Sequence, residues 1–275
     1  MTRMRLDEVP ALDVRPLLGS ERSDLLDLLR SLAPDQWASP TAVPGWRVKD
    51  IALHLLDDDL GWLSRGRDRD SSGLLVPTGD YRAFVAELDR KNQRWVDGAY
   101  GLSQRVVCDL LAWSGTEVDA FFATVDLRGP ARVIWASASA VPAWFDLARD
   151  FTERWVHHQQ IRDALACPGT HFEEHIATVL RTFVWAFPKQ YEADAAVGTQ
   201  IALDLDQGGT WVLTRRAVGW ELDGGHAPSA AAAMAMPGDT AWRMLTGGAY
   251  DPSTITKSGS EDLAAAALRV RSIIV

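Results

Sequence analysis

Cysteine is almost absent: Cys108 and Cys167 are the only two in 275 residues. Two thiols build neither a disulfide framework nor a cysteine zinc site. Basic runs are absent as well. With a net charge of −9, the chain repels polyanions, which excludes nucleic acid and an anionic membrane surface as expected partners. Long apolar runs are missing. The most apolar stretch, 133–145, is interrupted by Ser137, Ser139 and Pro142, far short of the ~18 residues of a spanning helix. The first residues contain no apolar core of signal-peptide length, so a cytoplasmic location is expected. No internal repeat occurs. What is present is an ordinary globular balance, 47% hydrophobic and 24% charged, which excludes disorder and fibre. Tryptophan is the exception, with 12 residues. Eight of these precede residue 160, so an aromatic core or aromatic-lined cavity is expected there.

The fold class expected is α+β, in two domains. Residues 1–166 read as helices. Leu25, Leu28, Leu29 and Leu32 share one face of a helix over 20–33, with Ser20 or Ser23 as its cap. Helices are predicted over 48–64, with Ile51, Leu55 and Trp62 inward, and over 80–96, with Phe84, Leu88 and Trp95. Two more are predicted, over 103–125 and from Pro142 to about 166. No strand pattern separates them, which predicts a helix bundle. Residues 66–79 are a long connection. The pattern changes near 166–170. A helix over 170–191 is followed by an alternating strand over 200–205 and a second strand over 210–222. Asp206-Gln207-Gly208-Gly209 forms the turn between them. A third strand over 230–236, a short helix over 238–245 capped by Asp239 and a closing helix over 260–272 complete an α+β domain, 170–275.

Three residues of the first domain stand out. His54 lies mid-helix. Glu153 and His157 are four apart, so their side chains leave one helix face within ~5–6 Å of each other. Two imidazoles and a carboxylate on facing helices can bind one metal ion and leave a fourth position open. On spacing alone, Glu153 and His157 are equally a helix-stabilising pair on a solvated face. His158 points ~100° away from His157 and reads as a neighbour of the site or a surface residue.

The segment Asp35-Gln36-Trp37, Pro40-Thr41 and Pro44-Gly45-Trp46-Arg47-Val48-Lys49-Asp50-Ile51-Ala52-Leu53-His54-Leu55 resembles the opening of the mycothiol-dependent maleylpyruvate isomerase family. That family belongs to the DinB-like metal-binding four-helix bundles. Glu153-x-x-x-His157 with Ile161-Arg162-Asp163 is similar to its second metal motif. The resemblance covers most of 20–166. It implies His54, Glu153 and His157 as ligands, zinc as the metal, mycothiol as cosubstrate and a DinB-like four-helix bundle. It further implies a C-terminal module like the sterol-carrier proteins. Residues 237–248 resemble the short-helix motif of that module, but Thr246-Gly247-Gly248 stands where relatives carry Trp-Gly-Arg. Arg243 is the nearest cation there, either a ligand-binding residue or an exposed helix arginine. Arg162 either holds a substrate carboxylate or pairs with an acidic side chain.

The activity so implied is cis–trans isomerisation by thiolate addition, or S-transfer if the thiol stays attached. The partners expected are a small-molecule substrate and a low-molecular-weight thiol, with the chain a monomer or weak homodimer. A metal-dependent hydrolase with Asp57 or Asp58 as base and a non-catalytic lipid-binding protein are the alternatives. Asp57-Asp58-Asp59 reads mainly as a solvated face, although Asp57 and Asp58 lie on the side of His54, where one could orient it. His171-x-x-Glu174-His175 matches the inverted zinc-protease pattern, but Thr170 and Glu173 explain it as a capping box. Cys108, among Val106, Val107, Leu110 and Leu111, reads as a core residue.

Overall fold

A computed structural model of the chain describes residues 6–73, 81–167 and 173–272. The chain is α+β and divides into two compact units. One is helical, Arg15–Val125 with Arg154–Gly169; the other joins Met1–Val14 and Asp126–Glu153 to Thr170–Val275. Residues 126–153 group with the sheet-containing part. Among the described residues, no helix is long and apolar enough to cross a membrane.

The helical unit contains α1 (Arg15–Ser31), α2 (Val48–Gly61), α3 (Tyr81–Ala99), α4 (Gln104–Phe122) and the later turns of α5 (Ala143–Ala164). Their stripes meet in one core. Leu25 and Leu29 of α1, Ile51 and Leu55 of α2, Leu111 of α4 and Ile161 of α5 pack together with Trp37. Leu28 and Leu32 lie at its margin. The helix α1 begins five residues earlier than its leucine pattern suggests, and Pro16 sits in its first turn, where a missing N–H costs nothing. Ser20 is thus not a cap; its hydroxyl donates to the Leu17 carbonyl at 2.9 Å. Asp50 in the first turn of α2 accepts from the Arg47 N–H at 2.8 Å, satisfying an end donor. The helix expected to reach Ser64 ends at Gly61 and widens into a π-helical turn, Trp62–Arg67. Small residues let that turn pack closely: a Cβ on Gly66 would meet the Phe121 ring at 2.7 Å. Ser103 caps α4 by accepting from the Val106 N–H at 3.4 Å. Cys108 is buried, and burial pushes its thiol pKa up.

In the other unit, β1 (Pro130–Ala131) and β2 (Val141–Pro142) form a short antiparallel ladder just before α5, which the helical reading missed. After α6 (Glu173–Phe183) and the short α7 (Phe187–Gln190) comes a five-stranded sheet. Its strands are β3 (Gln200–Asp204), β4 (Thr210–Arg215), β5 (Trp220–Gly224), β6 (Ala232–Ala235) and β7 (Thr256–Gly259), in the order β5-β4-β3-β6-β7. Only β3 and β6 run parallel. The hairpin at 206–209 forms as expected. A Cβ on Gly208 would meet the Leu180 Cβ at 2.5 Å, so only glycine fits under α6 there. The single strand expected over 210–222 is instead a hairpin, β4 and β5, turned at Gly219 with φ 71. Glycine adopts that left-handed conformation without steric cost. Ile201, Leu203, Leu213, Leu222 and Met234 are buried from successive strands.

The helix α8 (Gly238–Thr246) follows β6, and α9 (Glu261–Ala267), capped by Ser260, closes the described chain. Asp239 does not cap α8. Its carboxylate accepts from Trp242 Nε1 at 2.9 Å and from Arg243 Nε at 3.0 Å.

Candidate metal centre

Helix periodicity carries His54 into the bundle from α2, and α5 presents Glu153 and His157 from one of its faces. The ligand atoms of His54, Glu153 and His157 all lie within 4.8 Å of one another. Donors bonded to one zinc ion at ~2.0–2.2 Å sit roughly 3.4 Å apart, so a small inward movement completes the set. His54 and His157 are buried, with Glu153 half-buried. Their rings meet edge to face, centres 4.8 Å apart and planes at 85°. The Trp46 ring lies against His54, centres 5.3 Å apart. Two imidazoles and one carboxylate suit zinc and several other divalent metals.

The surroundings orient these donors. Gln160 Oε1 lies 2.7 Å from His157 Nδ1, so Nδ1 carries the proton and Nε2 the lone pair. Asp58 Oδ2 lies 3.6 Å from His54 Nε2. Of the two aspartates placed beside His54, Asp57 is engaged by Lys91 at 2.6 Å, which leaves Asp58 as the one against the imidazole. Sequence reasoning gave Gln160 no role, although its i,i+3 spacing from His157 was the available signal.

Two expectations change. Asp59 does not belong to a solvated face; it is fully buried. Its carboxylate takes bonds from Arg22, Arg154 and Ser114. Burial outweighs the pull of Arg22 and Ser114 and pushes its pKa up to about 6. His158 is not on the surface. It is buried, and its Nδ1 donates to Glu21 Oε1 at 2.8 Å. Arg162 Nε donates to His158 Nε2 at 2.9 Å. Arg243 belongs to α8, paired with Asp239 at 3.0 Å and stacked over Trp242 at 4.3 Å. In the protease-like pattern, Thr170 and His171 lie outside the described residues, and His175 is buried with its ring against Phe151, centres 5.4 Å apart.

Comparison with known proteins follows the same lines. Residues 18–162 match the family described as the mycothiol maleylpyruvate isomerase N-terminal domain. The chain is similar to the crystal structure of the mycothiol-dependent maleylpyruvate isomerase, with 13% identity and a TM-score of 0.57, over 94% of this chain and 96% of that one. A histidine-to-alanine mutant of that isomerase is similar too, with 13% identity and a TM-score of 0.54 over the same shares. At such identity the likeness establishes the fold. No match was found among curated proteins. With more than half of its length matched by one family, the chain belongs to the mycothiol maleylpyruvate isomerase N-terminal domain family.

Proposed function

We propose that the protein is a metal-dependent isomerase of the maleylpyruvate isomerase kind, with mycothiol as its thiol cosubstrate. The observation that carries this is the convergence of His54, Glu153 and His157 on two helices of the matched region. Zinc bound by these three side chains would supply Lewis acidity at its open position, where a thiol with an ordinary pKa near ~8.5 becomes a thiolate at neutral pH. The protein's own residues do the rest. Gln160 fixes the tautomer and ring plane of His157. Glu153 supplies the negative charge of the donor set. Trp46 covers one edge of His54 and keeps water from that side. On the substrate, thiolate sulfur adds to one carbon of an activated alkene and the π pair moves onto the activating carbonyl as an enolate; the resulting single bond rotates, and the enolate pair re-forms the double bond as sulfur departs with the C–S pair. If instead the enolate takes a proton from water and sulfur stays, the same addition is S-transfer.

The test combines turnover with metal content. The cis-to-trans conversion of maleylpyruvate is followed by absorbance with and without mycothiol. Elemental analysis is run on the native protein, His54→Ala and His157→Ala. The expected result is about one zinc per native chain, lost from both variants while the helical circular dichroism persists, and turnover only when mycothiol is present. Metal retained by both variants removes the site; mycothiol-independent turnover removes the cosubstrate.

A further inference from the structure

A buried carboxylate lies on the turn of α2 that follows His54. Asp59 is fully inaccessible. Its Oδ1 accepts from Arg22 Nη2 of α1 at 2.8 Å and from Arg154 Nη1 of α5 at 2.8 Å. Its Oδ2 accepts from Ser114 Oγ of α4 at 2.6 Å. One side chain thereby joins four helices of the bundle.

Burying such a group is a poor way to gain stability, because desolvation offsets the attraction. Apolar residues of similar volume would hold the same helices together, but apolar contacts are non-directional and tolerate a slide along the helix axis. A charge-assisted hydrogen bond does not, since it weakens steeply with misalignment. The arm to α5 is placed where that rigidity matters. Arg154 directly follows Glu153, and Asp59 shares α2 with His54. The rise and rotation of α5 on α2 decide whether Glu153 and His157 reach His54. A second buried tie of α5, His158 to Glu21, runs to α1.

We propose that the Asp59–Arg154 ion pair is a positioning device for the metal centre, setting the register of α5 on α2 so that His54, Glu153 and His157 converge. Asp59 and Arg154 are positioning residues and touch neither metal nor substrate in this role. The inference rests on reading the three residues as metal ligands.

The test measures Zn(II) affinity by competition with a chromophoric chelator, the Co(II) ligand-field spectrum, and thermal unfolding of the metal-free protein. Asp59→Asn is expected to weaken Zn(II) binding about 10- to 100-fold, the usual effect of losing a ligand's support, and to shift the Co(II) bands. Arg154→Lys moves both in the same direction by less. Arg22→Gln breaks only the arm to α1; it lowers Tm but leaves the Zn(II) Kd within about threefold. An unchanged Kd and spectrum in Asp59→Asn overturns the inference. So does an equal loss in Arg22→Gln, which makes the hub a matter of bundle stability alone. Native protein that binds neither ion overturns instead the reading of the three residues as ligands. Should Asp59→Asn fail to fold, Arg154→Lys against Arg22→Gln decides by the same comparison.

Discussion

Gln160 holds the imidazole of His157 from one turn further along α5, its Oε1 2.7 Å from Nδ1. The bond commits the ring to a single tautomer and leaves Nε2 as the basic nitrogen. A metal-binding histidine whose other nitrogen donates to a neutral acceptor is oriented before the ion arrives.

Gln160→Ala therefore leaves the fold intact and weakens metal binding. The expected loss is about 10-fold or more in Zn(II) affinity, read by chelator competition, with little change in the unfolding of metal-free protein. Equal affinity in the two proteins would show that the contact with Gln160 does not orient the ligand.

The helical core can be probed separately from the centre. Leu111 of α4 is fully buried among leucines and isoleucines of the other helices. Leu111→Ala should cost about 2–5 kcal/mol, from lost burial and the cavity left behind. Urea unfolding checks this, and a loss under ~1 kcal/mol would mean that the core collapses around the site.

Tyr191 makes stability fall at alkaline pH. Burial pushes its phenol from 10.0 up to about 12, and its hydroxyl donates to the Leu263 carbonyl at 3.0 Å. Between these values the unfolded chain has released a proton that the folded chain keeps, so ionisation favours unfolding. The contribution is whole below pH 10 and is lost as pH rises through 12, about 2–3 kcal/mol in all. Tyr191→Phe lacks both the bond and the titration. It is less stable than the native chain by about 1 kcal/mol near neutrality, and the gap closes and reverses by pH 12. Parallel stability curves from pH 9 to pH 12 would contradict the assignment.

The parts of the fold legible in the sequence are those set by local periodicity. The leucine stripes of α1, the Glu153–His157 spacing and the turn before β4 each follow from contacts between near neighbours in the chain. Element edges were less legible. Pro16 lies in the first turn of α1 ahead of its apolar pattern, and α2 ends at Gly61 in a wider π-helical turn. Gly219 splits one expected strand into two, because a left-handed glycine inside an alternating run interrupts the ladder without disturbing the hydrophobic pattern on either side.

Asp59 shows where such reading ends. In a run of three aspartates helical spacing puts Asp57 and Asp58 on the side of His54, but nothing local shows that Asp57 faces Lys91 or that Asp59 is fully buried. Asp58 meets His54 one turn away on its own helix, but Asp57 is set apart by a partner 34 residues away and Asp59 by partners 37 and 55 residues away. By itself the sequence determined most of the helices, the hairpin that joins β3 to β4, the family motifs and three candidate ligands, since these are properties of spacing. Only the tertiary structure decided which charges are buried and with whom they pair. Desolvation and ion pairing depend on the surfaces that distant segments bring together, and no local pattern encodes those surfaces.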